Sequence, residues 1–215
     1  MKLYLSSYKL GNRPNELVNL LGDRKKIIAY IPNALDFATD LERRKQSINS
    51  DIDELKAIGI TVEELDLRLY FNKTAELSAQ LSKYGAVFVR GGNCFVLRRA
   101  FYMSGLDKLL PELIRTEALV YSGYSAGIDM LAPSLHGAEL VDDPYTIPIG
   151  YDAKIIWECL NLLTYTVTPH YKSNHNESAD MDKSIEYMIN NYIPFIALRD
   201  GEVIIIDGEK HNIIS

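Results

Sequence analysis

Residues 118–130 read ALVYSGYSAGIDM: an apolar run, then a serine flanked by two glycines, then a run compatible with a helix. The segment ALVYSG (118–123) has the branched and aromatic character of a buried strand, and a helix is expected over 126–132. Only a very tight turn joins the two. Gly123 and Gly127 keep side chains out of that turn, so Ser125 is lifted to the carboxyl edge of a sheet, beside the outward-pointing N–H groups of a helix N-terminus.

Outward from this turn the same alternation repeats. Strands are expected at 2–7, 26–32, 61–67, 86–92, 118–123, 163–170, 193–198 and 202–207, where apolar runs such as IIAYI and AVFV are nearly continuous. Helices are expected between them at 14–22, 35–58, 73–84, 94–103, 107–116, 126–132 and 178–191. In the second helix, Leu41, Ile48, Ile52, Leu55 and Ile58 form one apolar stripe. Alternating strands and helices specify an α/β fold: a doubly wound, mostly parallel sheet with helices on both faces. The turn RDGE (199–202) separates the last two of these strands, which read as a C-terminal antiparallel hairpin. The chain has 215 residues and contains no repeat, low-complexity tract or linker, so one domain spanning 1–215 is expected.

Composition narrows the function. The net charge of −6 and the scarcity of basic runs argue against a nucleic-acid partner, whose phosphates would call for clustered Lys and Arg. DRKK (23–26) and ERRK (42–45) are flanked by acids and read as solvated faces. No apolar stretch is long enough for a membrane span, and MKLYLSS reads as a first strand rather than a leader. Cys94 and Cys159 stand far apart, which indicates neither a disulfide framework nor a zinc cluster, and a cytoplasmic protein is expected.

A serine hydroxyl at its ordinary pKa needs a base and, for acyl chemistry, donors for the developing oxyanion. FVRGGNCF (88–95) is a strand followed by Gly91 and Gly92, where backbone N–H groups can approach a substrate oxygen; Gly92 and Ala126 are the expected oxyanion donors. Of the four histidines, His136, His175 and His211 lie in polar segments. His170 ends the apolar strand TVTPH and is the expected base. The acid of a triad is sought between serine and histidine in GAELVDDPY (137–145), where Asp142 is the first choice and Asp143 and Glu139 remain open.

With RGGNCF, YSGYSAG and TPHY in that order, nearly the whole chain resembles the peptidase E group, the α-aspartyl dipeptidases of serine peptidase family S51. The resemblance implies a fold like the class I glutamine amidotransferases with serine at the turn where those enzymes carry cysteine. It also implies a cytoplasmic enzyme without cofactor or metal, acting on short peptides. On that basis Ser125 is the nucleophile and His170 the general base, Gly92 and Ala126 hold the oxyanion, and DDP supplies the acid as Asp142. Gly91, Asn93, Lys172 and His175 are expected around the substrate. The family's arginine for an acidic substrate side chain is missing from YKSNHNESADMDKSIEYM, with Lys172, His175 or Arg90 as substitutes. A cyanophycinase-like β-aspartyl peptidase and a non-catalytic binding module are the competing expectations, and the chain is expected to be a monomer or homodimer.

Overall fold

The computed structural model describes residues 1–215. Seven strands form one sheet: β1 (Lys2–Ser6), β2 (Ile27–Ile31), β3 (Thr61–Glu64), β4 (Ala86–Val89), β5 (Val120–Tyr124), β8 (Val203–Asp207) and β9 (Lys210–Ile214), in the order β3-β2-β4-β5-β1-β8-β9. The first five are mutually parallel. A second, two-stranded parallel sheet pairs β6 (Thr166–Thr168) with β7 (Phe195–Ala197).

Side chains alternate across a strand, and here both faces are covered. Leu3, Leu5, Ala29, Ile31, Val87, Val89 and Tyr121 point to one side and join the helices α3 (Thr74–Leu81), α4 (Cys94–Ser104), α5 (Leu106–Arg115) and α6 (Ala126–Asp129). Tyr4, Ile28, Tyr30, Phe88, Val120 and Tyr124 point to the other, against α1 (Pro14–Leu21) and α2 (Leu41–Ala57). The last helix, α7 (Ser178–Asn190), follows the His170 loop. Local chemistry sets the boundaries. Asp40 caps α2 by accepting from Arg43 N–H at 3.0 Å, Asn93 caps α4 by accepting from Val96 N–H at 2.9 Å, and Gly105 at φ 75° ends α4 and opens α5.

The hairpin at the C-terminus is built from other segments than expected. IPFIAL does not pair with EVIIID; it supplies β7 to the small sheet, and the turn at 199–202 carries the chain back beside β1. The hairpin joins β8 to β9 through Gly208 at φ 63°. Lys210, His211 and Asn212 hid β9 from hydropathy, as polar residues on an exposed edge strand do. The expected helix over 35–58 begins only at Leu41, behind a short 3-10 turn at Asn33–Leu35. No helix is long and apolar enough to cross a membrane.

Candidate functional site

The carboxyl ends of β1, β2, β4 and β5 meet at one edge of the sheet, and the site is assembled there. Ser125 follows β5 directly and precedes α6, with φ 49° and ψ −126°. A side chain rarely tolerates this backbone, which costs on the order of 1–3 kcal/mol and persists only where the surroundings enforce it. The enforcement comes from β4. A Cβ at Gly123 would sit 2.5 Å from the Val89 carbonyl oxygen, and one at Gly127 would sit 2.1 Å from the same atom. Both glycines are therefore required by the close passage of β4. The Ser125 hydroxyl caps nothing and stays free of protein partners.

Gly91 and Gly92 follow β4. A Cβ on Gly91 would lie 2.7 Å from Ser125 Cβ and 3.1 Å from its Oγ, so this glycine makes room for the serine. Gly92, at φ 139°, packs against the Ala34 backbone. Neither Gly91 nor Gly92 donates its N–H to a protein acceptor. Asn93 is committed elsewhere: besides capping α4, its Nδ2 donates to the Asp143 carbonyl at 3.1 Å.

His170 reaches this edge through β1. Ser6 pairs with Tyr124, so Ser7 and Ser125 are the next residues on neighbouring strands. His170 N–H donates to Ser7 Oγ at 2.8 Å, which ties the histidine to the residue beside Ser125 on the neighbouring strand. Its Nδ1 lies 2.7 Å from Asp200 Oδ1, and Ser7 Oγ donates to that same carboxylate oxygen at 2.8 Å. The Asp200 N–H is held in turn by Ser173 Oγ at 2.8 Å. Burial lowers the His170 pKa and outweighs the opposing hydrogen bond to Asp200, with His175 adding to the lowering. The imidazole is thus neutral near pH 7, with its Nδ1 proton directed at Asp200 and Nε2 available.

The carboxylate that meets His170 is Asp200, where the sequence reading put Asp142. Asp142 lies beneath α4 and accepts from Cys94 N–H at 2.8 Å; burial pushes its pKa up to about 6. Asp143 binds Tyr145 N–H and the Thr146 hydroxyl, and Glu139 binds Gly137 N–H. Asp143 and Glu139 serve their own loop and Asp142 serves the start of α4. His136 stacks on Trp157, and His211 lies on edge strand β9.

The loop after His170 folds back over it. The His175 ring stacks on the His170 ring at 3.6 Å between centroids and 4° between planes, with Tyr8 edge-on to both. Glu177 Oε2 lies 3.8 Å from His170 Nε2 and 3.9 Å from His175 Nδ1. Two imidazoles and a carboxylate this close have the composition of a metal site. Ring nitrogens, however, bind along lone pairs that lie in the ring plane, and lone pairs in two parallel, stacked planes do not converge on one ion. The His175 Nδ1 lone pair is in addition taken by Glu177 N–H at 3.3 Å.

An open cleft of about 550 Å³ adjoins this loop, lined by Phe37, Arg43, Arg44, Arg90, His175 and Glu177 among others. Two of its arginines are already paired: Arg44 with Asp36 at 2.8 Å, and Arg90 with Asp51 at 3.1 Å. Arg90 also donates to the Tyr124 hydroxyl at 2.8 Å, bracing the residue before Ser125 from behind. Arg43 has no ion pair and is the cleft's free cation. Lys172 is fully exposed, with its ammonium 5.1 Å over the Tyr171 ring, and does not line the cleft. Sequence reasoning missed Ser7, Asp200, Glu177 and Arg43. Asp200 alone left a local signal, as an acid in the turn immediately after the strand IPFIAL.

A serine at positive φ on a strand-to-helix turn, with a histidine–aspartate pair at the same edge of a mostly parallel sheet, is the arrangement that serine hydrolases on α/β sheets use. The particular family follows from comparison: residues 6–214 match the model of peptidase family S51, and the chain belongs to that family. It is 34% identical over 137 residues to peptidase E of Streptomyces coelicolor, a match spanning 61% of this chain and 53%, about half, of the relative. It is 28% identical over 190 residues to the Drosophila melanogaster protein named "Probable alpha-aspartyl dipeptidase", spanning 86% of this chain and 71% of the other. A crystal structure from Listeria monocytogenes, provisionally assigned as a peptidase E protein, superposes with a TM-score of 0.74 at 24% identity, covering 99% and 97% of the two chains. The mostly parallel sheet with its antiparallel margin is shared with that structure.

Proposed function

We propose that the protein is a serine dipeptidase in which Ser125 is the nucleophile, His170 the general base and Asp200 the acid that orients it. The observation carrying this reading is the chain of contacts from Asp200 through His170 and Ser7 to the end of β5. Ser125 attacks the carbonyl of a short peptide while His170 Nε2 takes its proton. Asp200 stabilises the resulting imidazolium without itself being protonated. The Gly92 and Ala126 N–H groups receive the oxyanion, His170 returns the proton to the leaving amine, and water then releases the acyl-enzyme.

A preference for an N-terminal acidic residue is part of the proposal. Arg43 supplies the charge, standing in for the arginine absent after His170, and charge-assisted pairing with a carboxylate favours this over Lys172, which lies outside the cleft. We further place the protein in the cytoplasm as one domain of residues 1–215, a monomer or homodimer with short peptides as its partners. The test is a dipeptide panel containing α-Asp-X, β-Asp-X and neutral members, read as amino-acid release. Release from α-Asp-X by the wild type and its loss in Ser125→Ala are expected. Equal turnover by the two proteins would refute the assignment of Ser125, and activity confined to β-linked members would turn the reading to a β-aspartyl peptidase.

A further inference from the structure

Glu177 is a carboxylate without a hydrogen bond, yet it is two-thirds buried, with 34% of its side chain exposed. Burial raises its pKa above the ordinary glutamate value, the cost of holding an uncompensated charge there. The groups nearest to it, His170 Nε2 at 3.8 Å and His175 Nδ1 at 3.9 Å, both present lone pairs rather than protons, since His170 directs its proton at Asp200 and His175 Nδ1 accepts from the Glu177 backbone. Glu177 therefore faces the cleft with its acceptor capacity unused, on the wall that also bears His175.

A group that would satisfy it must be cationic, rich in hydrogen-bond donors, and close to the reacting centre. In the proposed reaction the attacked carbonyl carbon sits between Ser125 and His170 Nε2. On a peptide cleaved after its first residue, the α-ammonium is only two bonds from that carbon. We propose that Glu177 binds the free α-ammonium of the substrate's first residue and so restricts cleavage to the amino-terminal bond. The inference rests on the dipeptidase reading above and adds a requirement to it: the cleft selects a free amino terminus, through a residue outside the proposed triad. A peptide blocked at its amino terminus would leave Glu177 desolvated and unpaired, and an interior bond would meet the same penalty.

Binding separates this inference from turnover. In a Ser125→Ala background, the affinities of Asp-Leu and N-acetyl-Asp-Leu are measured by calorimetry near pH 7.5, with and without Glu177→Gln. The free dipeptide should bind at least about 10-fold more tightly than its acetylated form in Ser125→Ala, the scale of a charge-assisted hydrogen bond. Adding Glu177→Gln should bring the two within about 2-fold. A preference for the free amine that survives Glu177→Gln overturns the proposal, as does the lack of any preference, or of any binding, in Ser125→Ala. Failure of the dipeptidase reading would show elsewhere, as absent turnover by the wild type of peptides that bind in this assay.

Discussion

Asp200 Oδ1 lies 2.7 Å from His170 Nδ1, although the strand and helix that separate them in sequence place neither residue near the other before the chain folds. The contact is over-determined: Ser7 Oγ holds both the His170 N–H and the Asp200 carboxylate, and Ser173 holds the Asp200 N–H. Asp200→Asn should leave the fold intact and lower kcat by about 10²–10⁴-fold, since an amide can pair with the wrong tautomer of the imidazole. Asp142→Asn should retain kcat within about 3-fold. Steady-state kinetics on the best dipeptide decides between them, and the reverse ranking would return the acid's role to Asp142.

The lowered His170 pKa fixes the sign of a pH profile. The base is lost as pH falls through that value, so the acid limb of kcat/KM should lie below pH 6.5, the ordinary histidine value. The titratable groups facing His170 are Asp200, His175 and Glu177. Removing His175 uncovers the ring to water and deletes a neighbour that lowers the His170 pKa, and both changes favour the protonated form. His175→Ala should therefore move the acid limb to higher pH, and a limb that stays or moves lower would contradict this account.

Asp142 offers a test on stability. Its pKa in the folded protein is about 6 against an ordinary 3.8, so the folded state holds the proton more tightly than the unfolded chain. The associated stability is fully present below pH 3.8 and is lost as pH rises through 6. Asn can still accept from Cys94 N–H without carrying the buried charge. At pH 7.5 Asp142→Asn should raise unfolding stability by ~1–3 kcal/mol, from ~1.4 kcal/mol per pKa unit. Urea titrations at pH 7.5 and pH 4 should show this gain shrinking toward zero at the lower pH.

Behind Ser125, Asp51 Oδ2 accepts from the Tyr30 hydroxyl at 2.6 Å, the Tyr124 hydroxyl at 2.8 Å and Arg90 Nε at 3.1 Å. Both members of the ion pair are buried, and Asp51 Oδ1 and Arg90 Nη1 have no partner. Asp51→Asn would leave the guanidinium charge uncompensated in the core, which costs about 3–5 kcal/mol when one partner of a buried pair is removed. A denaturant midpoint within error of the wild type would refute the pairing.

Gly91 leaves no space for a methyl group, which would meet Ser125 Cβ at 2.7 Å and Tyr124 Cε2 at 2.9 Å. Gly91→Ala should displace the serine by a fraction of an ångström and lower kcat by about 10²-fold. The expected stability loss is about 1–3 kcal/mol. Wild-type kcat in this variant would show that the turn yields without moving the hydroxyl.

The parts of the site that were legible in the sequence are those whose causes are local. Gly123, Ser125 and Gly127 alternate within five consecutive positions because β4 passes too close for a side chain at either glycine, and His170 ends an apolar run because strand ends carry ligand-facing residues. Asp142 looked suitable through its D-x-P context, yet its loop turns under α4 and spends the carboxylate on Cys94. Lys172 and Asn93 had the right sequence neighbourhood, but one is drawn over Tyr171 and the other caps a helix.

By itself the sequence determined the alternation of strands and helices, the strained turn at Ser125 and the histidine at a strand end, because hydrophobic period and turn sterics act over a few residues. Only the tertiary structure decided which acid meets His170 and what lines the cleft beside it. β7 leaves the small sheet, and the 199–202 turn must reach β1; that passage alone carries Asp200 to His170 and Ser7. The return of the 171–177 loop sets Glu177 beside the same imidazole. Those neighbours are fixed by how distant elements pack, a long-range geometry that no local pattern encodes.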